Sequence, residues 1–309
     1  MTVDRKSVFS FSQTILFGIF TAMEHVKIIE CPRDAMQGIK EFIPTHLKVQ
    51  YIQSLLRCGF DTIDFGSFVS PKAIPQMVDT AEVLSQLDLS KTDSKLLAIV
   101  ANLRGAQAAC EHPEIQYLGY PFSISENFQM RNTHKTIAQS VELLQEIIDL
   151  AQKNNKELVV YISMGFGNPY GDPWNVEIVG EWTQKLYDMG IKILSLSDTV
   201  GTSDPETISY LFSNLIPKYP DIEFGAHLHT TPTKWHEKVD AAYKAGCRRF
   251  DGAIQGFGGC PMAKDELTGN MPTEKMVSYF NTTKAYSNVS AMSFESSYNE
   301  ATKIFTKYH

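Results

Sequence analysis

The chain has 309 residues, 43% of them hydrophobic and 20% charged, with a formal net charge of -7; that is a globular composition with room for one large domain or two ordinary ones. An acidic balance without any Lys/Arg run argues against a general nucleic-acid binder. The five cysteines, Cys31, Cys58, Cys110, Cys247 and Cys260, are odd in number and scattered without a CxxC pair, which disfavours a disulfide framework or zinc finger and points to a reducing, cytoplasmic compartment.

Residues 8–23 are apolar with interleaved Ser, Gln and Thr, after Arg5 and Lys6. The run is shorter than the ~20 residues a membrane helix needs, so no membrane partner is expected. A weak signal peptide is one reading; the preferred one is a disordered extension over residues 1–22, with a single folded domain over 23–309.

From residue 26 short apolar runs alternate with longer helical patterns. The runs are Val26–Glu30, Thr62–Phe65, Leu96–Val100, Ile115–Tyr120, Leu158–Ser163, Ile193–Leu196, Ile222–His227 and Arg249–Ala253. They are rich in Val, Ile and Leu, as parallel strands buried on both faces require. Helical patterns between them include His46–Arg57, Ile74–Leu87, Thr136–Lys153, Val176–Met189, Pro205–Ile216 and Trp235–Lys244. Gly59, Gly190 and Gly246 follow such segments as C-terminal stops, and Ser203-Asp204-Pro205-Glu206 reads as a capped start. Eight strands alternating with helices over about 250 residues predict a (β/α)8 barrel, an α/β TIM barrel. An open doubly wound sheet is the competitor, but no GxGxxG follows any strand.

In such a barrel the site lies at the C-terminal strand ends. There fall Glu30, Cys31, Arg33 and Asp34 after the first strand, Asp64 and Ser67 after the second, Ser125 after the fourth, Asp198 after the sixth, and His227 and His229 on the seventh. The eighth opens into Gly256-Phe257-Gly258-Gly259-Cys260-Pro261. His227 and His229, at i and i+2, face one way in a strand. They are either half of a metal site or two solvated or core histidines. With an acid and an amide oxygen they make a nitrogen and oxygen set suited to Mg2+ or Mn2+. Arg33 is either a strand-end ion pair or a fixed cation for an enolate. Cys260 is either a buried inert thiol or an acid/base group on a glycine-hinged loop. A Schiff-base aldolase would need a strand-end lysine; Lys192 lies at a strand start and Lys72 beyond Pro71.

These residues carry a resemblance. Val26-Lys27-Ile28-Ile29-Glu30-x-Pro32-Arg33-Asp34-x-x-Gln37, Ser67-Phe68-Val69-Ser70-Pro71-Lys72, Ser125-Glu126-x-Phe128 with Asn132, Leu196-Ser197-Asp198-Thr199-Val200-Gly201, His227-x-His229, and Gly258-Gly259-Cys260-Pro261 with Gly269-Asn270-x-x-Thr273-Glu274 resemble the hydroxymethylglutaryl-CoA lyase family. The resemblance runs in order from about residue 26 to about 280. It implies Asp34, His227, His229 and Asn270 as ligands of one Mg2+ or Mn2+ ion. It implies Arg33 and Cys260 as catalytic, with Asp64, Asp198 and Glu274 as further acidic functional positions. It implies Arg33, Gln37, Ser67, Ser125 and Asn132 as substrate-binding residues for an acyl-CoA partner. The implied reaction cleaves 3-hydroxy-3-methylglutaryl-CoA to acetoacetate and acetyl-CoA through an enolate. A related aldol or Claisen-type enzyme and a non-catalytic CoA-ester-binding barrel are the alternatives, and a homodimer is compatible with the sequence. Two departures stand out: Asp64 replaces the family's Glu, and Thr230 stands where an acid follows the second histidine, which is expected to weaken the orientation of that ring.

Overall fold

The computed structural model describes residues 24–259, 268–283 and 285–308; the expectations for residues 1–22 and for Cys260 lie outside them. Eight parallel strands form the centre: β1 (Lys27–Glu30), β2 (Thr62–Ser67), β3 (Lys95–Ile99), β4 (Ile115–Ser123), β5 (Glu157–Ser163), β6 (Ile193–Asp198), β7 (Glu223–Thr230) and β8 (Arg249–Gly252). They pair in the order β7-β6-β5-β4-β3-β2-β1-β8, and β8 pairs back onto β7 through Gly225 opposite Arg249 and Ala226 opposite Phe250. That last pairing closes the sheet. The open-sheet alternative is thereby excluded, and each expected strand is present.

The helices are α1 (Pro32–Gln37), α2 (Thr45–Leu55), α3 (Thr80–Ser85), α4 (Leu103–Cys110), α5 (Glu126–Thr133), α6 (Ile137–Lys153), α7 (Val176–Asp188), α8 (Pro205–Lys218), α9 (Trp235–Lys244), α10 (Thr273–Thr282) and α11 (Ala291–Tyr308). Side chains of Asn102, Ser125, Thr136, Asn175 and Asp204 accept from backbone N–H groups at the starts of α4 to α8, meeting donors that a helix leaves unpaired at its N-terminus. The expected single helix over Ile74–Leu87 is instead a 3-10 turn, Pro75–Met77, followed by α3. Thr80 Oγ1 donates to the Met77 carbonyl and accepts from Ser67 N–H, while Asp79 accepts from Thr45 and Lys48. Such local and cross-element bonds compete with the helix ladder.

Two apolar layers hold the barrel. Leu97, Ile99, Tyr117, Val159, Tyr161 and Ile193 fill one side of its interior. A larger core, including Tyr51, Phe60, Leu118, Val160, Leu194, Phe212 and Phe250, lies largely between strands and helices. Burial on both faces is why the strand sequences read as near-continuous apolar runs. Two small pairings matter for the site. Gly269–Asn270 lies antiparallel along the end of β7, with Asn270 opposite His229. On α11, Phe305 stacks on Phe257 of the loop after β8, ring centres 4.3 Å apart.

Candidate active site

The C-terminal mouth opens into a cavity of about 620 Å³ whose lining includes Arg33, Asp34, Gln37, Asn132, His227 and His229. The residues that follow β1 form the short helix α1. Pro32 begins it, with a preset φ that suits a first helical position. Residues three and four apart on a helix are neighbours, so Arg33 Nη1 donates to Gln37 Oε1 at 2.9 Å and Gln37 Nε2 donates to Asp34 Oδ1 at 2.5 Å. Arg33 Nη1 also donates to Asp34 Oδ1 at 2.8 Å. Its Nε reaches Asp64 at 3.0 Å, and its Nη2 donates to the same carboxylate. The guanidinium is held as a fork between two carboxylates and an amide, which a lysine could not reproduce.

Burial sets the electrostatics. Burial alone would raise the Asp34 carboxyl, but Arg33 and the two histidines overcome it and hold it below its ordinary value. Asp64, fully buried, is pushed up to about 6 because desolvation outweighs the Arg33 contact. Burial and the neighbouring His227 lower His229, which keeps it a neutral imidazole. Burial would lower His227 too, but its hydrogen bond with Asp251 prevails and raises it.

The donor set fits a divalent cation. Asp34, His227 and His229 each offer a ligand atom, all within 4.8 Å of one another. His227 Nδ1 is 3.1 Å from Asp251 Oδ2, and His229 Nδ1 is 3.0 Å from the Thr199 carbonyl. With Nδ1 donating in both rings, the lone pair falls on Nε2 and each ring is held in one orientation. His229 Nε2 is buried and has no hydrogen-bond partner, an arrangement that is costly unless something else satisfies it. Asn270 Nδ2 donates to Asp34 Oδ2 at 2.7 Å and to the Phe257 carbonyl at 2.8 Å, which leaves its side-chain oxygen outside both bonds. Gly258, at φ +84, lies against this group: a Cβ there would stand 2.5 Å from the Asp34 carbonyl and 2.8 Å from Asn270 Nδ2. No other residue fits so close an approach.

Other sequence candidates lie elsewhere. Asp198 is flanked by the cavity-lining Ser197 and Thr199, but its own carboxylate accepts from Ser203 Oγ at 2.5 Å and Lys238 Nζ at 2.7 Å. Lys238 also donates to the His229 carbonyl at 2.8 Å. Glu274 accepts from Gln255 N–H at 2.9 Å, below the loop that leads to Cys260. Ser67 donates to the Ile99 carbonyl at 3.2 Å, and Ser125 caps α5 and donates to Asp172 at 2.5 Å. The ring orientation expected to suffer at Thr230 is supplied by the Thr199 carbonyl, while Thr230 Oγ1 donates to the Thr231 carbonyl at 3.0 Å.

Sequence reasoning missed Asp251, and it placed Glu30 at the strand end without giving it a role. Asp251 orients His227; the available signal was a carboxylate on the last strand beside the histidine strand. Glu30, wholly buried, accepts from Thr273 Oγ1 at 2.6 Å and Ile254 N–H at 2.9 Å. Arg131, His134 and Lys135 also line the cavity, and Arg131 and Lys135 bring positive charge to it.

The fold and this site define a (β/α)8 barrel with a polar, cation-ready mouth. Residues 25–299 match the HMGL-like family model, and the chain belongs to that family of lyases. It is 32% identical over 261 residues to the cytoplasmic 3-hydroxy-3-methylglutaryl-CoA lyase of Rattus norvegicus, covering 84% of this chain and 75% of that protein. It is 32% identical over 246 residues to the hydroxymethylglutaryl-CoA lyase YngG of Bacillus subtilis, covering 80% and 81%. The crystal structure of a Bacillus subtilis HMG-CoA lyase superposes with a TM-score of 0.86 at 31% identity, over 92% of this chain and 94% of that one. An Acinetobacter baumannii HMG-CoA lyase in complex with coenzyme A and 3-methylmalate superposes at 0.84 with 29% identity, over 91% and 92%.

Proposed function

We propose that this protein is a divalent-metal-dependent carbon–carbon lyase that cleaves 3-hydroxy-3-methylglutaryl-CoA into acetoacetate and acetyl-CoA. The observation that carries the reading is the convergence of Arg33 and the Asp34, His227 and His229 donor set on one wall of the same cavity, in a chain about a third identical to enzymes named for that reaction.

Asp34, His227, His229 and Asn270 would hold Mg2+ or Mn2+, whose Lewis acidity favours loss of a proton from a tertiary hydroxyl. Arg33 stabilises the thioester enolate as the carbon–carbon bond breaks. Because Asp34, Asp64 and Gln37 already clamp it, little reorganisation accompanies that charge development. Cys260, carried by the loop after β8, takes the proton that the tertiary hydroxyl loses and gives it to the enolate carbon. Phe257 against Phe305 and Gly258 against Asp34 set the approach of that loop. Gln37 and Asn132 face the substrate. Arg131 and Lys135 suit the phosphates of the CoA tail. Asp198 and Glu274 act as positioning residues, through Lys238 and Gln255 respectively.

The described cysteines are free, which supports a reducing, cytoplasmic setting. No described helix is long and apolar enough to cross a membrane.

The test is a coupled acetyl-CoA release assay across a panel of acyl-CoA esters, with Mn2+, with Mg2+ and with EDTA. Release from the hydroxymethylglutaryl ester, abolished by EDTA, supports the reading. Release from another hydroxyacyl ester alone reassigns the substrate, and turnover in EDTA removes the metal.

A further inference from the structure

Beneath the metal donors the barrel axis holds a second polar layer. Arg249 and Asp251 stand two residues apart on β8 and so share a face. Both are buried, at 1% and 2% exposure. Gly225 on β7 makes room for the arginine: a Cβ there would stand 3.2 Å from Arg249 Cδ and 3.0 Å from Ser195 Oγ. Arg249 Nη1 donates to Glu223 Oε1 at 3.0 Å, at the start of β7 and so at the floor of the barrel.

The remaining groups of this layer are without partners. Arg249 Nε and Nη2, Asp251 Oδ1, Tyr161 Oη and Ser195 Oγ are all buried and make no hydrogen bond. They are near one another. Ser195 Oγ and Arg249 Cδ both crowd Gly225, Arg249 and Asp251 share one face of β8, and Asp251 is bonded to the His227 ring. The Tyr161 ring packs edge-on against His227, centres 5.5 Å apart. Buried polar atoms in native proteins find a partner, and ordered water is the usual one where several donors and acceptors converge. A cation is opposed here by the guanidinium and an anion by the carboxylate. Water, which accepts from Arg249 and donates to Asp251, suits both.

We propose that Arg249 is a positioning residue for the metal site. Through enclosed water it fixes the Asp251 carboxylate, which in turn fixes the His227 ring with Nε2 directed at the site shared with Asp34 and His229. The chain of support runs from the barrel floor at Glu223 to the mouth. A bare plug of the barrel floor, the competing role for Arg249, would need the Glu223 contact and nothing above it.

This inference rests on the metal reading given above, and its test separates the two. Mn2+ binding to the purified full chain is followed by electron paramagnetic resonance for wild type, Arg249→Met, Arg249→Lys, Asp251→Asn and the double variant of Arg249→Met with Asp251→Asn. Loss of an outer-sphere partner typically weakens metal binding about 10- to 100-fold. Arg249→Met is expected to lose about 10-fold, Arg249→Lys to recover part of that, and the double variant to bind no more weakly than Asp251→Asn alone, because the arginine acts through the aspartate. Affinity within about twofold of wild type in Arg249→Met, or additive losses in the double variant, overturns the relay. A wild-type chain that binds no Mn2+ overturns the metal reading instead. Should Arg249→Met fail to fold, a high-resolution crystal structure of the wild-type protein decides: water within about 3 Å of both Asp251 and Arg249 upholds the relay, and a dry chamber overturns it.

Discussion

Asn270 donates its side-chain nitrogen to Asp34 at 2.7 Å across 236 positions of sequence. The bond joins the antiparallel pair behind β7 to the helix after β1, so two ligand candidates from opposite ends of the chain orient one another. Asn270→Ala removes a candidate ligand and frees Asp34. An affinity for Mn2+ about 10-fold weaker is expected, with a smaller loss of turnover at saturating metal; titrating Mn2+ into the variant measures both.

His229 presents a buried Nε2 with no partner. His229→Ala should raise the metal concentration that gives half-maximal activity by about 10-fold or more. An unchanged metal dependence would remove His229 from the ligand set.

Arg33 is held by Asp34, Asp64 and Gln37 on three sides. Arg33→Met should lower kcat by about 10²- to 10³-fold, the range for removing one preorganised donor to an oxyanion. Exogenous guanidinium restoring part of the rate would locate the loss in the missing cation.

Cys260 follows the Gly258-Gly259 hinge. Cys260→Ala should reduce turnover by about 10²- to 10⁴-fold if the thiol is the general acid. Mn2+ binding should be unaltered in the same variant. A near-normal rate would leave Cys260 only a packing role.

Glu30 is pushed up to about 8, chiefly by burial and against the bonds from Thr273 and Ile254. Its folded pKa therefore lies above the ordinary 4.5 of an unfolded chain. The native state then holds one more proton than the unfolded state between those values, so Glu30's contribution is complete below about 4.5 and is lost as pH rises to about 8. Melting temperature should fall between pH 5 and pH 8 in wild type, and Glu30→Gln should flatten that slope. An identical slope in both proteins would assign it to other groups.

Much of the barrel was legible because its strands are buried on both faces and bounded by turn residues, a local pattern that survives in one sequence. The strand-end rule then placed Arg33, Asp34, His227 and His229 near one mouth. The helix after β1 was not legible, since six residues beginning with a proline carry too little periodicity. The break in Ile74–Leu87 was equally hidden, because it depends on Thr45, Lys48 and Ser67 reaching Asp79 and Thr80 from elsewhere.

The alternation of strand and helix, the histidine pair on one strand face and the family motifs are all readable along the chain, because each is a property of near neighbours. Which carboxylate serves which partner emerges only in the folded barrel. Asp251 turned out to face His227, Asp198 to face Lys238, and the Thr199 carbonyl to stand in beside His229 where Thr230 lacks an acid. Those pairings join strands and helices that meet only when the barrel closes, and spacing along one chain contains no information about which side chains then share a buried space.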